Sequence, residues 1–136
     1  MNALYMLDTD SASYLIRGGF PLLDQRIAAL PPDRLCISVI TRAELLYGLR
    51  LNSGAHRIAR LVNRFLANVH SLAWGDDAAG CYSVLAASLT QAGAPIGVMD
   101  ALIAAHALAA PAVLVTNNVR HFGRISGLKT ENWTRP

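Results

Sequence analysis

The sequence predicts a three-layer α/β/α domain with a mainly parallel central sheet of about five strands. Short apolar segments alternate along the chain with longer segments whose apolar residues recur at helical spacing, which is typical of a parallel sheet covered by helices. The chain has 136 residues, of which 53% are hydrophobic and 15% are charged. This composition suffices for one domain with a buried core, so we expect a single domain over residues 1–136.

The first third of the chain contains two strand signals. The apolar run at residues 4–7 predicts the first strand, and residues 11–17 carry apolar side chains at helical spacing. A second helix is predicted to begin near Pro21 and to end before Pro31, because proline favours a first helical position and disfavours a helix before it. Residues 35–39 then predict a second buried strand.

The next segments predict two helices and a weaker strand. The first helix runs from about residue 41 to residue 51, and Thr41 and Glu44 match a capping box, in which the acid reaches back to a backbone N–H. A role in capping and a role in a functional site therefore both stay open for Glu44. Residues 58–66 form a clean apolar stripe, and residues 69–73 predict the third strand.

The second half of the chain continues the alternation of predicted helices and strands. A long helix is expected over residues 76–91 and another over residues 100–110, where His106 lies on an apolar face and is expected to be a hydrogen-bonded core residue. Residues 112–116 are a clear strand signal, and residues 129–133 predict the last strand.

Three of the nine carboxylates stand at predicted element boundaries beside apolar runs: Asp8, Glu44 and Asp100. In open parallel sheets, ligands bind outside the carboxyl ends of the strands, which is where Asp8 falls. A cap of the following helix is the other interpretation of an aspartate at this position. Clustered carboxylates either raise their pKa values or bind a cation, and oxygen ligands select Mg²⁺ or Mn²⁺. A hydrated ion of this kind binds phosphate oxygens and activates water, so the pattern favours phosphodiester hydrolysis.

The charge balance permits a nucleic-acid partner without requiring one. The net charge is +3, with eleven arginines and one lysine, and arginine suits bidentate contacts to phosphate. The candidates for RNA contacts are Arg57, Arg60 and Arg64, which fall on one helix face, together with Arg120 and Arg124. A solvated basic face is the other interpretation of the same pattern.

The sequence also indicates the compartment. No apolar run is long enough to span a bilayer, and the N-terminus lacks the pattern of a signal peptide, so we expect a cytoplasmic protein without a membrane partner. Cys36 and Cys81 fall in apolar segments and are expected to be reduced core thiols.

Four segments, together with two short ones near the end, resemble the PIN-domain ribonucleases, specifically the VapC toxins of bacterial type II toxin–antitoxin systems. They are MLDT at 6–9, SVITRAEL at 38–45, PIGVMDALIA at 95–104 and LVTNNVRHF at 114–122, with GL at 127–128 and ENW at 131–133. The resemblance covers essentially the whole chain. It implies a PIN-like fold and a Mg²⁺- or Mn²⁺-dependent endoribonuclease that forms a homodimer. It also implies that the enzyme cleaves RNA such as tRNA, including initiator tRNA, and that a VapB-type antitoxin neutralises it.

Carried over by motif, the resemblance assigns metal binding to Asp8, Glu44 and Asp100. Supporting roles at the same edge of the sheet fall to Asp10, Thr116, Asn118 and His121.

The sequence departs from the family pattern at two places. Asp10 stands where the family often has Asn, and we expect it to cap the following helix at Ala12 or Ser13 and to hydrogen-bond to a water of the metal. Direct binding of the metal by Asp10 is the other interpretation. A fourth acid is often found near the end of the fourth strand, where this chain has the non-acidic Asn118 and His121. Asn118 is a candidate for a carbonyl ligand or for positioning water, and His121 for contacting the scissile phosphate.

Other classes share part of this pattern. A phospho-acceptor receiver would use Asp8, Asp10, Asp76 and Thr116. It would leave Glu44 and Asp100 without a role, and phosphorylation by a small phosphodonor would support it. A haloacid-dehalogenase phosphatase would use the first two of those acids but lacks a suitable lysine and a late acidic pair. The remaining alternative is an inactive PIN fold that only binds RNA or a protein.

Overall fold

Five parallel strands form the centre of the computed structural model, which describes residues 3–136. They are β1 (Tyr5–Leu7), β2 (Leu35–Ser38), β3 (His70–Leu72), β4 (Val113–Val115) and β5 (Thr130–Glu131). The strand order is β3-β2-β1-β4-β5, and every neighbouring pair is parallel. The predicted sheet is therefore confirmed, with β1 at its centre.

Seven helices connect the strands within the described residues. They are α1 (Thr9–Arg17), α2 (Pro21–Ala29), α3 (Val39–Leu51), α4 (His56–Asn68), α5 (Asp76–Gln91), α6 (Val98–Ala109) and α7 (Val119–Phe122), with a 3₁₀ turn at Pro32–Arg34. The short helix α7 lies between β4 and β5. Among residues 3–136, no helix is both long enough and apolar enough to cross a membrane.

Successive residues of the strands point into two separate cores, which makes the domain three-layered. Met6 packs in one core against α5 and α6, whereas Leu7, the next residue of β1, packs in the other core with residues of α1 and α4. This alternation follows from the pleat of a strand, which sends neighbouring side chains to opposite faces. Cys36 lies in the first core as a buried free thiol, while the free Cys81 is only half-buried.

The start of α3 differs from the sequence prediction. The helix begins at Val39 rather than near Thr41, because Ser38 is its N-cap and the Ser38 hydroxyl accepts a hydrogen bond from the Ile40 N–H at 3.0 Å. Thr41 consequently lies inside the first turn, where it is fully buried. The capping-box interpretation of Thr41 and Glu44 is therefore wrong.

His106 connects α6 to the start of α3 through a hydrogen bond. Its ring is 3% exposed, its Nδ1 lies 2.7 Å from the Ser38 Oγ, and it also hydrogen-bonds to the backbone of Ala73. Because the Ser38 oxygen already accepts from Ile40, its hydroxyl is free to donate to Nδ1. The predicted core histidine with hydrogen-bond partners is confirmed, and burial lowers the pKa of His106.

The lowered pKa of His106 gives the stability of the fold a pH dependence. The unfolded chain takes up a proton more readily than the folded chain, so stability is full above the ordinary pKa of 6.5 and falls as the pH drops through it. We expect His106→Asn to lose less stability than the wild type between about pH 7 and about pH 5. Urea unfolding at several pH values measures how the free energy of unfolding depends on pH in both proteins. If the two proteins lost stability in parallel as the pH fell, His106 would not be the source of this pH dependence.

Candidate active site

Asp8 occupies the end of the central strand and is 4% exposed. It is the N-cap of α1, where its Oδ1 accepts a hydrogen bond from the Ser11 N–H at 2.8 Å. Burial raises the pKa of Asp8, and hydrogen bonds from the side chain of Thr116 and from Ser11 oppose that rise. Thr116 directly follows β4, so a single carboxylate joins the ends of two neighbouring strands.

Glu44 extends from α3 toward α1. The Thr9 hydroxyl donates to its Oε1 at 2.6 Å, and the Thr41 Oγ1 lies 3.1 Å from the Thr9 Oγ1. Because Thr9 directly follows Asp8 in the chain, this hydrogen bond places Glu44 beside the end of β1. Sequence reasoning missed both threonines as orienting residues, although Thr9 stands within the MLDT motif.

Asp10 lies in the first turn of α1 and is not its N-cap, so the predicted capping role of Asp10 is wrong. Asp8 takes that role because it stands immediately before the first helical residue. The negative charge of Asp10 instead contributes to raising the pKa values of both Asp8 and Asp100. Asp10 also lines the same cavity as Glu44, with a volume of about 380 Å³.

Asp100 lies in the first turn of α6 and contacts His121 of α7. The His121 Nε2 is 3.5 Å from the Asp100 Oδ2, and the two side chains are 26% and 41% exposed. Burial raises the pKa of Asp100, the charge of His121 opposes the rise, and the charge of Asp10 adds to it. We use the term acidic edge for Asp8, Asp10, Glu44 and Asp100.

The remaining predicted residues lie close to this edge or on the surface. Asn118 is exposed, and its backbone N–H donates to the Thr116 Oγ1 at 3.0 Å. The five arginines predicted as RNA contacts, Arg57, Arg60, Arg64, Arg120 and Arg124, are all exposed. Exposure is compatible both with contacts to RNA and with a solvated basic face.

The chemistry of the acidic edge fits a hard divalent cation. Its donors are carboxylate oxygens, and a cation would relieve the repulsion that Asp10 exerts on Asp8 and Asp100. Within residues 3–136, however, no three Asp, Glu, His or Cys side chains already surround one point as a metal site would require. Asp8, Glu44 and Asp100 instead have protein partners in Ser11, Thr9 and His121. Convergence of these three acids on one ion therefore stays a prediction.

Comparison with known protein families identifies the class of protein to which this chain belongs. Residues 5–128 match the PIN domain family, so the chain belongs to the PIN-domain proteins. This membership sets aside the receiver and the haloacid-dehalogenase alternatives.

Within that family, the relatives are VapC proteins. The chain is 36% identical to "Ribonuclease VapC1" of Haemophilus influenzae (strain R2866) over 133 residues, covering 97% of this chain and 99% of the relative. It is 35% identical to "tRNA(fMet)-specific endonuclease VapC" of Salmonella typhimurium (strain LT2) over 129 residues, covering 95% and 97% of the two chains.

Solved structures agree with this placement. A chain from the structure of DNA-bound VapBC from Salmonella typhimurium superposes with a TM-score of 0.89 at 34% identity, covering 96% of this chain and 98% of that chain. A chain from VapBC2 of Rickettsia felis, bound to a DNA fragment from the promoter, gives a TM-score of 0.87 at 33% identity with the same coverage. The resemblance to VapC toxins stated from the motifs is therefore confirmed.

Proposed function

We propose that this chain is a metal-dependent endoribonuclease toxin that cleaves RNA, with tRNA, including initiator tRNA, as the preferred substrate. The observation that carries the proposal is the acidic edge at the carboxyl ends of β1 and β2 in a chain that matches VapC ribonucleases over nearly its whole length. We further propose that the enzyme is one domain over residues 1–136 and acts in the cytoplasm, where its RNA substrate is found.

Asp8, Glu44 and Asp100 would hold Mg²⁺ or Mn²⁺ through carboxylate oxygens. The bound ion supplies charge for the phosphate oxygens and lowers the pKa of a water molecule. The chain's own residues orient these ligands, because Thr9 donates to one oxygen of Glu44 and the Ser11 N–H fixes one oxygen of Asp8. This arrangement leaves the second oxygen of Glu44 available.

Asn118 and the exposed arginines would then contact the substrate. The Asn118 amide, which follows β4, would donate a hydrogen bond to the phosphate that is cleaved. The exposed arginines of α4 and of residues 120–124 would bind phosphates farther along the RNA, since such contacts position a nucleic acid without specifying its sequence.

Asp100→Asn tests the proposed metal site because it removes one charge with little change of shape. We expect cleavage of tRNA to fall at least about 100-fold, because losing only an outer partner of a metal ligand costs about 10- to 100-fold. EDTA added to the wild type should abolish cleavage in the same assay. A wild type that binds tRNA but never cleaves it, with or without Mg²⁺, would favour the inactive PIN fold.

Two controls accompany this variant. Asp33→Asn removes an acid that is 75% exposed and lies outside the acidic edge, and it should cleave like the wild type. The raised pKa of Asp100 favours the folded state only at low pH, and that contribution is lost as the pH rises above the ordinary value of 3.8. Asp100→Asn should therefore unfold at the same temperature as the wild type, or a higher one, at neutral pH.

Asp10→Asn tests whether the extra acid contributes to ion binding. Asn retains the size of Asp10 but removes the charge that acts on both Asp8 and Asp100. We expect the Mg²⁺ concentration for half-maximal cleavage to rise by about tenfold, which corresponds to about 1.4 kcal/mol of binding free energy. Rates titrated against Mg²⁺ for both proteins measure this shift, and superimposable titrations would show that Asp10 takes no part.

We also propose that a VapB-type antitoxin neutralises the enzyme and that this chain forms a homodimer. An apolar groove of about 380 Å³ lies between α1, α2 and α4, with Leu30, Leu61 and Phe65 among its lining residues. Ile16 lines both this groove and the cavity that contains Asp10. An apolar helix of the antitoxin in the groove would consequently lie beside the acidic edge.

Leu61→Asp tests the position of the antitoxin. A charge in the groove should weaken binding of the VapB-type antitoxin at least about tenfold, because the carboxylate would lose its hydration on contact with the apolar helix. RNA cleavage without antitoxin is measured separately, because the new carboxylate also lies within one helical turn of Arg57 and Arg64. Val84→Asp is the matched control, since Val84 is an apolar residue of α5 that is 72% exposed and lies outside the groove. This placement would be contradicted if both variants weakened antitoxin binding equally, or if Leu61→Asp did not weaken it at all.

A further inference from the structure

His121 and Asp100 bring two different donor atoms together beside the acidic edge. His121 comes from α7, just after β4, and Asp100 from the first turn of α6. Both side chains are partly exposed, at 26% and 41%, so an ion from solvent can reach them. The pair therefore offers one nitrogen and one oxygen at a place where the other acids offer only oxygen.

The distance between the two donors is compatible with one shared ion. The His121 Nε2 and the Asp100 Oδ2 are 3.5 Å apart, which is longer than a well-formed charge-assisted hydrogen bond of about 2.8 Å. Two metal–ligand bonds of about 2.1 Å that meet at an angle of about 90° to 110° place their donor atoms about 3.0 to 3.5 Å apart. Little movement would be needed for both atoms to bind the same ion.

The ring of His121 also has a packing contact with the core. It packs edge-on against the ring of Phe122, with a centroid distance of 5.7 Å and an interplanar angle of 88°. Phe122 is 1% exposed and belongs to the core, so it limits how far the imidazole can turn. This contact restricts the ring on one side before an ion arrives, which favours its use as a ligand.

We propose that His121 is a nitrogen ligand of the metal site and biases it toward Mn²⁺ over Mg²⁺. This inference rests on the proposed function. Mg²⁺ is a hard ion that prefers oxygen and keeps its waters. Mn²⁺ also takes oxygen ligands, but as a first-row transition-metal ion it exchanges water for an imidazole nitrogen more readily than Mg²⁺ does. Replacing one oxygen donor by Nε2 therefore weakens Mg²⁺ binding more than Mn²⁺ binding.

The test is pulsed electron paramagnetic resonance of the protein loaded with Mn²⁺, which detects a nitrogen nucleus bonded to the ion. We expect the electron spin echo of Mn²⁺ to be modulated by a nitrogen nucleus in the wild type, a signal called nitrogen modulation below. This modulation should be lost in His121→Asp, which keeps an oxygen ligand at the same position. His70→Asn is the matched control, because His70 is an exposed histidine at the start of β3, and it should keep the signal. Calorimetric titrations should show the preference for Mn²⁺ over Mg²⁺ falling about tenfold in His121→Asp.

The outcomes separate this inference from the proposed function. A wild type that binds Mn²⁺ without nitrogen modulation and still cleaves tRNA would overturn the role of His121 and leave the nuclease in place. Nitrogen modulation that persists in His121→Asp would also overturn it. A wild type that binds neither ion would overturn both proposals.

Discussion

A negative charge buried at the end of the central strand is the constraint on which the acidic edge depends. A carboxylate as buried as Asp8 is costly unless hydrogen bonds replace the water it has lost. The first turn of α1 and the side chain of Thr116 supply those bonds, so β1, α1 and the end of β4 meet at one side chain. The centre of the fold and the candidate site are in this way held by the same contacts.

Hydroxyl groups orient Glu44 and connect the start of α3 to α6. Thr9 and Thr41 form a short chain of hydrogen bonds that ends on Glu44, and Ser38 connects the start of α3 to His106. A hydroxyl fixes a carboxylate without neutralising it. The negative charge therefore stays available for a cation, which an arginine or a lysine in the same place would displace.

Most of the sheet could be predicted from the sequence because β1, β2 and β4 are short apolar runs, and Asp8, directly after β1, marks the edge at which the candidate site lies. Helix starts were harder to predict. Thr41 and Glu44 satisfy the local capping pattern, but Ser38 begins α3 earlier because it also has a distant partner in His106. Asp10 was expected to cap α1 because it lies at the junction of the predicted strand and helix, and only the backbone path decides that Asp8 does so. Such choices depend on contacts between residues far apart in the chain.

β1 has only three residues, and this restricts where insertions and deletions can occur in the chain. Met6 and Leu7 belong to opposite cores, so one extra residue within Tyr5–Leu7 would exchange them and turn Asp8 away from Thr116. Insertions and deletions should therefore be excluded from the central strand in natural variants of this protein. The turn at residues 52–55, which joins α3 to α4, is exposed or half-buried and carries no such restriction. New RNA preferences would then arise from changes in surface turns and side chains, with the strand ends kept constant in length.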